Sequence, residues 1–357
     1  MQDRRERGQG ESTERRGVER REPEPGEKLR DEKAAASRDA KRAVGVGLAA
    51  STLAMLAGTL PKAAAPPSPE KVPIDETPVV EKAKQAEWDL TVSDHDRVDF
   101  FIDFLTGKNR DKPQLWLERI GVYEPMIRKE LGARGMPGDL VYLSMIESGF
   151  NPNAYSRADA AGLWQFIEET GRRHGLEVSE YVDERRDPVK STGAALEYLQ
   201  QMHGRFGSWY LAAAGYNTGE NRVGRLMREI TGGERGEDAQ YWTIWDRLPR
   251  ETRDYVPLML AAGHIAKDPE KYGFTGVQRQ DPLEFEEIIV PGGTKLSAVA
   301  SAGGVDVEAL RALNPHLVKE MTPPGRRMAV RVPIGRADTV AANLKGQAEP
   351  GATYRAD

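Results

Sequence analysis

The sequence predicts a mainly α-helical domain followed by a small βααβ module. Three observations carry this expectation. From about residue 96 to 280, apolar residues recur at spacings of three and four, and alternating β-branched runs are absent. The part that follows reads instead as strand, helix, helix, strand, from EFEEIIVP through TKLSAVASAGG and VDVEALRALNP to MAVRVP. A chain of 357 residues also has room for two modest domains plus segments without a core.

In the helical part the periodic stretches are VDFFIDFLTG, LWLERIGVYEPMIRKELGARG, DLVYLSMIES, PVKSTGAALEYLQQMHGRFG and residues 251–267. Before them lie three regions of different composition. Residues 1–42 interleave basic and acidic side chains with almost nothing apolar, so they are expected to be disordered. Residues 43–60 carry no charge and follow Lys41-Arg42, the pattern of a signal-peptide core or a single membrane anchor. Residues 61–95 are proline- and alanine-rich and read as a linker. The helical domain then spans 96–280, the small module 281–345, and residues 346–357 read as a disordered tail.

Composition excludes several kinds of chemistry. There is no cysteine, which rules out disulfides, thiolate catalysis, zinc–thiolate sites and a lipidated cysteine. None of the five histidines stands in metal-ligand spacing, so no metal and no cofactor is expected. The net charge of -5 gives no basic surface for nucleic acid.

The candidate chemistry begins at PGDLVYLSMIESGFNPNAYS, residues 137–156. Pro137 and Asp139 suit a helix start, and Gly149 with Pro152 suit its end. On that helix Leu140, Leu143, Ser144 and Glu147 share a face, so Glu147 is carried toward the apolar side in the last turn. Desolvation and the negative end of the helix dipole would both raise its pKa, as a general acid requires. A helix-end glutamate that simply reaches solvent is the plainer alternative. Next, GLWQF at 162–166 sets Gln165 between two aromatic residues at the start of a helical pattern. That arrangement suits either a sugar cleft or an ordinary core. Glu168 and Glu169 complement the dipole of the helix they open. Then AAAG at 212–215 permits close helix approach and leads into Tyr216-Asn217, and Tyr255 stands near the start of a last helix. Arg253 and Asp254 read as surface or supporting charges.

Taken together, these motifs resemble the family 1 lytic transglycosylases, whose catalytic fold is related to goose-type lysozyme. Within that family they are most similar to the membrane-bound murein transglycosylase D branch. The resemblance rests on Glu147-Ser148-Gly149-Phe150 with Asn151-Pro152, on Ser156 followed by Ala161-Gly162-Leu163-Trp164-Gln165-Phe166, on Ala214-Gly215-Tyr216-Asn217-Thr218-Gly219, and on Glu251-Thr252-Arg253 with Tyr255-Val256. It runs in register over roughly residues 97–275 and closes on Lys271-Tyr272-Gly273-Phe274. It implies a lysozyme-like helical catalytic domain in which Glu147 is the catalytic acid and base. Substrate would be held by Ser156, Gln165, Tyr216, Asn217 and Tyr255.

The implied substrate is the glycan strand of peptidoglycan, cut between N-acetylmuramic acid and N-acetylglucosamine with formation of a 1,6-anhydromuramoyl end. The implied place is the periplasm or cell envelope, reached or held through residues 43–60. A monomer is expected, with other cell-wall enzymes as potential partners. Two departures stand out. Gly215 replaces a common alanine and would loosen packing slightly. Asp159 replaces a glycine and adds a second carboxylate, although a loop-stabilising role suits it better. A hydrolytic muramidase of goose-lysozyme type and a non-catalytic peptidoglycan-binding protein remain the alternatives.

The terminal module resembles a single LysM-like repeat, above all in Leu313-Asn314-Pro315 and its closing strand. Gly292-Gly293 stands where glycine–aspartate is typical. The module thus reads either as a glycan binder or as a prop for the catalytic domain.

Overall fold

The computed structural model describes residues 87–344 and 348–356. The charged leader, the apolar 43–60 segment and most of the expected linker lie outside the described residues. No helix among the described residues is long and apolar enough to cross a membrane.

Among the described residues, nine α-helices build the first part: α1 (Asp96–Thr106), α2 (Asp111–Ala133), α3 (Val141–Ser148), α4 (Glu168–Arg173), α5 (Pro188–Phe206), α6 (Trp209–Thr218), α7 (Glu220–Thr231), α8 (Ala239–Ile244) and α9 (Arg250–Lys267). Their ends follow from local chemistry. Asp187 caps α5 by accepting from Val189 and Lys190 N–H, with Pro188 in the first helical position. Ser208 caps α6 by accepting from Leu211 N–H. Helix α3 reads VYLSMIES and offers almost no polar stripe, so Val141 through Glu147 are all buried. It packs against α2 and α9 at the centre of the domain.

Two helices carry an internal proline, and in α9 its lost hydrogen bond is replaced. Pro257 in α9 has no N–H, which leaves the Arg253 carbonyl without its helical donor. Tyr241 Oη at 3.0 Å and Trp245 Nε1 at 2.8 Å donate to that carbonyl instead, tying α8 and the turn after it to α9. Beside Pro125 in α2 the chain leaving the helical domain comes close. Gln280 N–H donates to Glu118 O, and a Cβ on Gly121 would lie 2.2 Å from Gln280 O.

The expected linker ran to residue 95, yet its last residues pack on the helical domain. Leu90 is buried, and the Trp88 ring lies so close to α9 that a Cβ on Gly263 would meet it at 2.4 Å. Asp89 accepts from the N–H groups of Gly138 and Asp139, while Asp139 accepts from Asp89 N–H. Lys267 Nζ stands 2.8 Å from Asp139 and neutralises it. Two apolar side chains and a reciprocal cap outweigh the proline-rich character of what precedes them.

The second part contains β1 (Phe285–Val290), α10 (Leu296–Gly303), α11 (Val307–Leu313), β2 (Met328–Val332), α12 (Ala337–Asn343) and β3 (Glu349–Tyr354). The order strand, helix, helix, strand is as expected. The tail differs: residues expected to be disordered form β3, and the sheet order is β2-β1-β3 with both pairings antiparallel. Ile288 lies opposite Val330, and Phe285 opposite Tyr354. Glu-Pro-Gly-Ala-Thr-Tyr has no apolar alternation because β3 is an exposed edge. Backbone pairing holds it, with the Tyr354 and Phe285 rings stacked 4.9 Å apart.

Asn314 of the Leu-Asn-Pro turn donates to Leu310 O and Arg331 O and accepts from Arg331 N–H, locking α11 onto β2. His316 beside it is buried, 3.4 Å from an Asp187 oxygen. Burial lowers its pKa from 6.5 to about 4 against the pull of the Asp187 charge, with Arg331 and Lys190 lowering it further and Glu177 raising it. The imidazole is therefore neutral at pH 7, and its contact with Asp187 is not an ion pair.

The unfolded chain binds a proton at His316 below about pH 6.5, whereas the folded chain resists it down to about 4. The folded state accordingly loses a few kcal/mol as pH falls through that window. Urea titrations between pH 7 and pH 4 are expected to show the loss, and His316→Asn should flatten it.

Candidate active site

Helix α3 ends at Glu147 and Ser148 because Gly149 adopts the left-handed conformation, φ 60°. Only glycine suits that position, since a Cβ would lie 2.4 Å from the Trp116 ring. The ending leaves Glu147 in the last turn with 1% of its surface exposed. From the second turn of α9, Tyr255 Oη donates to Glu147 Oε1 at 2.6 Å. Burial, and after it the Glu147 charge, push the Tyr255 phenol well above its usual range, so it keeps its proton and remains a donor.

Tyr216 and Asn217 come from the end of α6. Tyr216 is fully buried and donates to Trp164 O at 2.8 Å. Its pKa is also driven well upward, by burial first and then by the Glu147 charge beside it. Asn217 accepts from Thr252 Oγ1 at 2.8 Å and shares a hydrogen bond with Glu251, the residue one turn before Tyr255. Four residues from three helices are thereby gathered: Glu147, Tyr216, Asn217 and Tyr255.

Glu251 is the member that sequence reasoning missed, although it stood inside a quoted motif. Burial raises its pKa from 4.5 to about 7, and the Asn217 hydrogen bond only partly opposes this. Its charge also bears on Tyr255, the donor to Glu147. The available signal was its spacing: a residue four before Tyr255 on a helix faces the same way.

The loop between α3 and α4 supplies the other expected residues, in different roles from those of the helices. Ser156 Oγ accepts from the N–H groups of Ala158 and Ala160 and closes the loop on itself. Gln165 is fully buried in a turn, not at a helix start, with φ 50°. Its amide nitrogen donates to Gly162 O at 2.8 Å and to Ala154 O at 3.3 Å. Its Oε1 meets no hydrogen-bond partner among the described residues. Trp164 and Phe166 on either side are core residues with no exposed surface, so they offer no platform to a sugar. Phe150, Asp159 and Gln165 all have positive φ, a concentration of backbone strain within 16 residues of chain.

Asp159 is exposed, accepts from Tyr155 Oη at 3.2 Å and belongs to the loop surface. The structure thus supports its loop-stabilising alternative. Asp254, expected as a surface or supporting charge, is buried and bonded to Arg97 Nε at 2.7 Å, joining α9 to α1. Gly215 does not loosen packing. A Cβ there would stand 2.8 Å from Met202 Sδ and 3.1 Å from the Phe206 ring, so glycine lets α5 and α6 close together.

Chemically, the cluster can present one carboxyl group hydrogen-bonded by a phenol in a nearly water-free setting, with a second carboxyl group able to hold a proton near neutrality. Among the described residues no cluster of histidine and carboxylate side chains could hold a metal ion.

Comparison with known proteins gives the wider setting. Residues 124–236 match the family described as transglycosylase SLT domain, and residues 284–348 match the LysM-like domain of lytic transglycosylase MltD. The chain is 35% identical over 223 residues to membrane-bound lytic murein transglycosylase D of Escherichia coli K12, covering 62% of this chain and 48% of that protein. It is 38% identical over 118 residues to a putative tributyltin chloride resistance protein of Alteromonas sp. M-1, covering 32% of this chain and 57% of that one. Among solved structures, the 70 kDa soluble lytic transglycosylase of Escherichia coli aligns over 43% of this chain and 26% of its own, at 22% identity and a TM-score of 0.34. The chain spans about half the length of the curated transglycosylases D that it matches. The chain therefore carries one segment that matches the transglycosylase SLT domain and a second that matches the LysM-like domain of lytic transglycosylase MltD.

Proposed function

We propose that the chain is a peptidoglycan lytic transglycosylase of the cell envelope, with Glu147 as its acid and base. The observation that carries the reading is the buried Tyr255–Glu147 hydrogen bond inside the SLT-type segment. The name of the transglycosylase D relatives, membrane-bound and murein-directed, supports the substrate and the envelope location.

In the proposed reaction, Glu147 gives its proton to the oxygen linking N-acetylmuramic acid to N-acetylglucosamine as that bond breaks. The charge developing at C1 of the muramoyl unit is met by that sugar's own 2-acetamido oxygen. Glu147, now a carboxylate, takes the proton of the muramoyl 6-hydroxyl, whose oxygen closes onto C1. The proton lent in the first half is recovered in the second, and no water enters. Two-carboxylate glycosidases need a second acid as nucleophile or water-activating base, and this scheme does not. Tyr255 would orient Glu147 through both halves. Asn217, with Glu251 beside it, and the unpartnered Gln165 Oε1 are the groups available to orient the acetamide, while Ser156 and Tyr216 would hold the surrounding loop and helix end.

Asp159 gives no support to a hydrolytic muramidase, but Glu251 is a second carboxyl group, bonded to Asn217 and bearing on Tyr255. With a pKa of about 7 it is part ionised at neutrality, so its charge state alone does not separate a water-activating base from a spectator. Digestion of purified sacculi followed by mass measurement separates the readings. Anhydro ends are lighter by one water than hydrolysed ends, and a protein that only binds releases nothing. Glu147→Gln is expected to lower release by at least about 1,000-fold with the fold intact. Retained turnover in that variant would remove Glu147 from the mechanism.

Glu251 makes a separate expectation. Its folded pKa of about 7 lies above the usual 4.5, so its protonated form suits the folded site and ionisation disturbs it as pH rises through 7. The kcat/KM profile should therefore carry a limb near pH 7 that Glu251→Gln removes. A limb that persists in the variant belongs to another group.

A further inference from the structure

The LysM-like module is not a bead joined by a tether. Val182, from the loop before α5, is fully buried in the module's own core among Ile288, Leu296, Leu317 and Val330. The backbones pair across the junction: Val182 bridges Leu317, Asp183 N–H donates to His316 O at 2.8 Å, and Val318 N–H donates to Tyr181 O at 3.1 Å. In return, β2 sends Arg331 into the helical domain. Its Nη2 reaches both oxygens of Asp187, at 2.9 and 2.8 Å, while its guanidinium lies over the Phe285 ring. Both partners are buried. Burial alone would raise the Asp187 carboxyl, yet the charge of Arg331 and the other groups around it hold it below its usual range.

The residues that receive the module also hold the active-site loop. Arg185, two residues from Asp187, is buried with its guanidinium bonded to Asp183. From Nη1 it donates to Asp159 O at 2.8 Å and to Phe166 O at 3.1 Å. Its own carbonyl presses on Gly162, where a Cβ would lie 1.7 Å away. Asp187 begins α5, and Thr192 on that helix accepts from Trp164 Nε1 at 2.9 Å. Residues 182–187 therefore have the module on one side and the strained 159–166 turn on the other.

A buried ion pair adds little net stability over an apolar pair of the same shape, but it punishes any misregistered docking. The apolar contact around Val182 supplies cohesion, and Asp187–Arg331 selects one seating. We propose that the module serves as a fixed buttress of the active-site loop, with Asp187 and Arg331 as positioning residues that act through Arg185 and α5. The proposal rests on the transglycosylase reading for its kinetic consequence, but not for its structural one.

The test uses the full chain with Arg331→Met, Arg331→Lys and Asp187→Asn, the last retaining a side-chain acceptor for the α5 cap. Arg311→Met, in an exposed charge cluster of the same module, is the control. Hydrogen exchange at the bonded Ala161 and Gly162 amides is followed beside turnover on soluble glycan strands. Arg331→Met and Asp187→Asn are expected to speed exchange at 161–162 and to lower kcat on the order of 10- to 100-fold, with KM nearly unchanged. Arg331→Lys should recover part of both effects, and the control should alter neither.

If exchange rises across 285–332 while 161–162 stays protected and kcat is unchanged, the module is a passive neighbour and the proposal fails. If Arg331→Met does not fold, Arg331→Lys and Asp187→Asn carry the same comparison. If the wild type releases no muropeptides, the functional reading fails, and the exchange measurement still decides whether the module braces the loop.

Discussion

Around Glu147 the domain has to reconcile a carboxyl group with an almost fully enclosed place at the end of an apolar helix. Such a group costs several kcal/mol if left without a partner, so its surroundings are constrained more tightly than those of an ordinary core residue. The Tyr255 hydroxyl meets that need at 2.6 Å, which makes the distance and register between α3 and α9 a matter of tenths of an ångström. The register of α9 is then secured elsewhere along its length. The carbonyl left bare by Pro257 is bound by Tyr241 and Trp245, and Asp254 is held by Arg97 of α1. A proline and a buried aspartate, each unfavourable alone, become fastening points.

The loop that closes the site is held by similar means. Between α3 and α4 it contains three non-glycine residues at positive φ, a conformation that a free loop would relax. Arg185 prevents this by spending its guanidinium on Asp183 and on two loop carbonyls while its backbone crowds Gly162. Since the segment bearing Arg185 is also where the terminal module seats, the helical domain and the LysM-like module share one mechanical element. That arrangement favours the prop over the detached glycan binder as the account of the module.

Much of this was legible before any coordinates. Helix-period patterns located the main helices, because an apolar stripe repeats every three to four residues wherever one face is buried. Glu147, Tyr216, Asn217 and Tyr255 were named from motifs, and they do converge. The misses have a common origin. Gln165 looked like a helix start because polar and apolar residues near it suit one, yet it stands in a turn, with its side-chain amide bonded to Gly162 O and Ala154 O. Trp164 and Phe166 could have faced a cleft or a core, and only packing distinguishes the two. Glu251 and Asp159 are both acidic residues in motif regions. Which of them is buried with Asn217 and which lies exposed depends on how α9 and the loop fold back. The tail strand β3 was invisible because an edge strand needs a partner's backbone more than an apolar pattern of its own.

The sequence by itself determined where the main helices lie, how several of them are capped, and which residue types stand in the quoted motifs. These depend on local sterics, capping and periodicity, which act over a few residues. Tertiary structure alone decided that Tyr255 reaches Glu147 across 108 positions, that Glu251 meets Asn217, and that Arg331 seats the module on Asp187 across 144. Such pairings carry no local signature. They exist because buried charge and buried polar groups must find partners, and the partner is whichever residue the packed helices bring within reach.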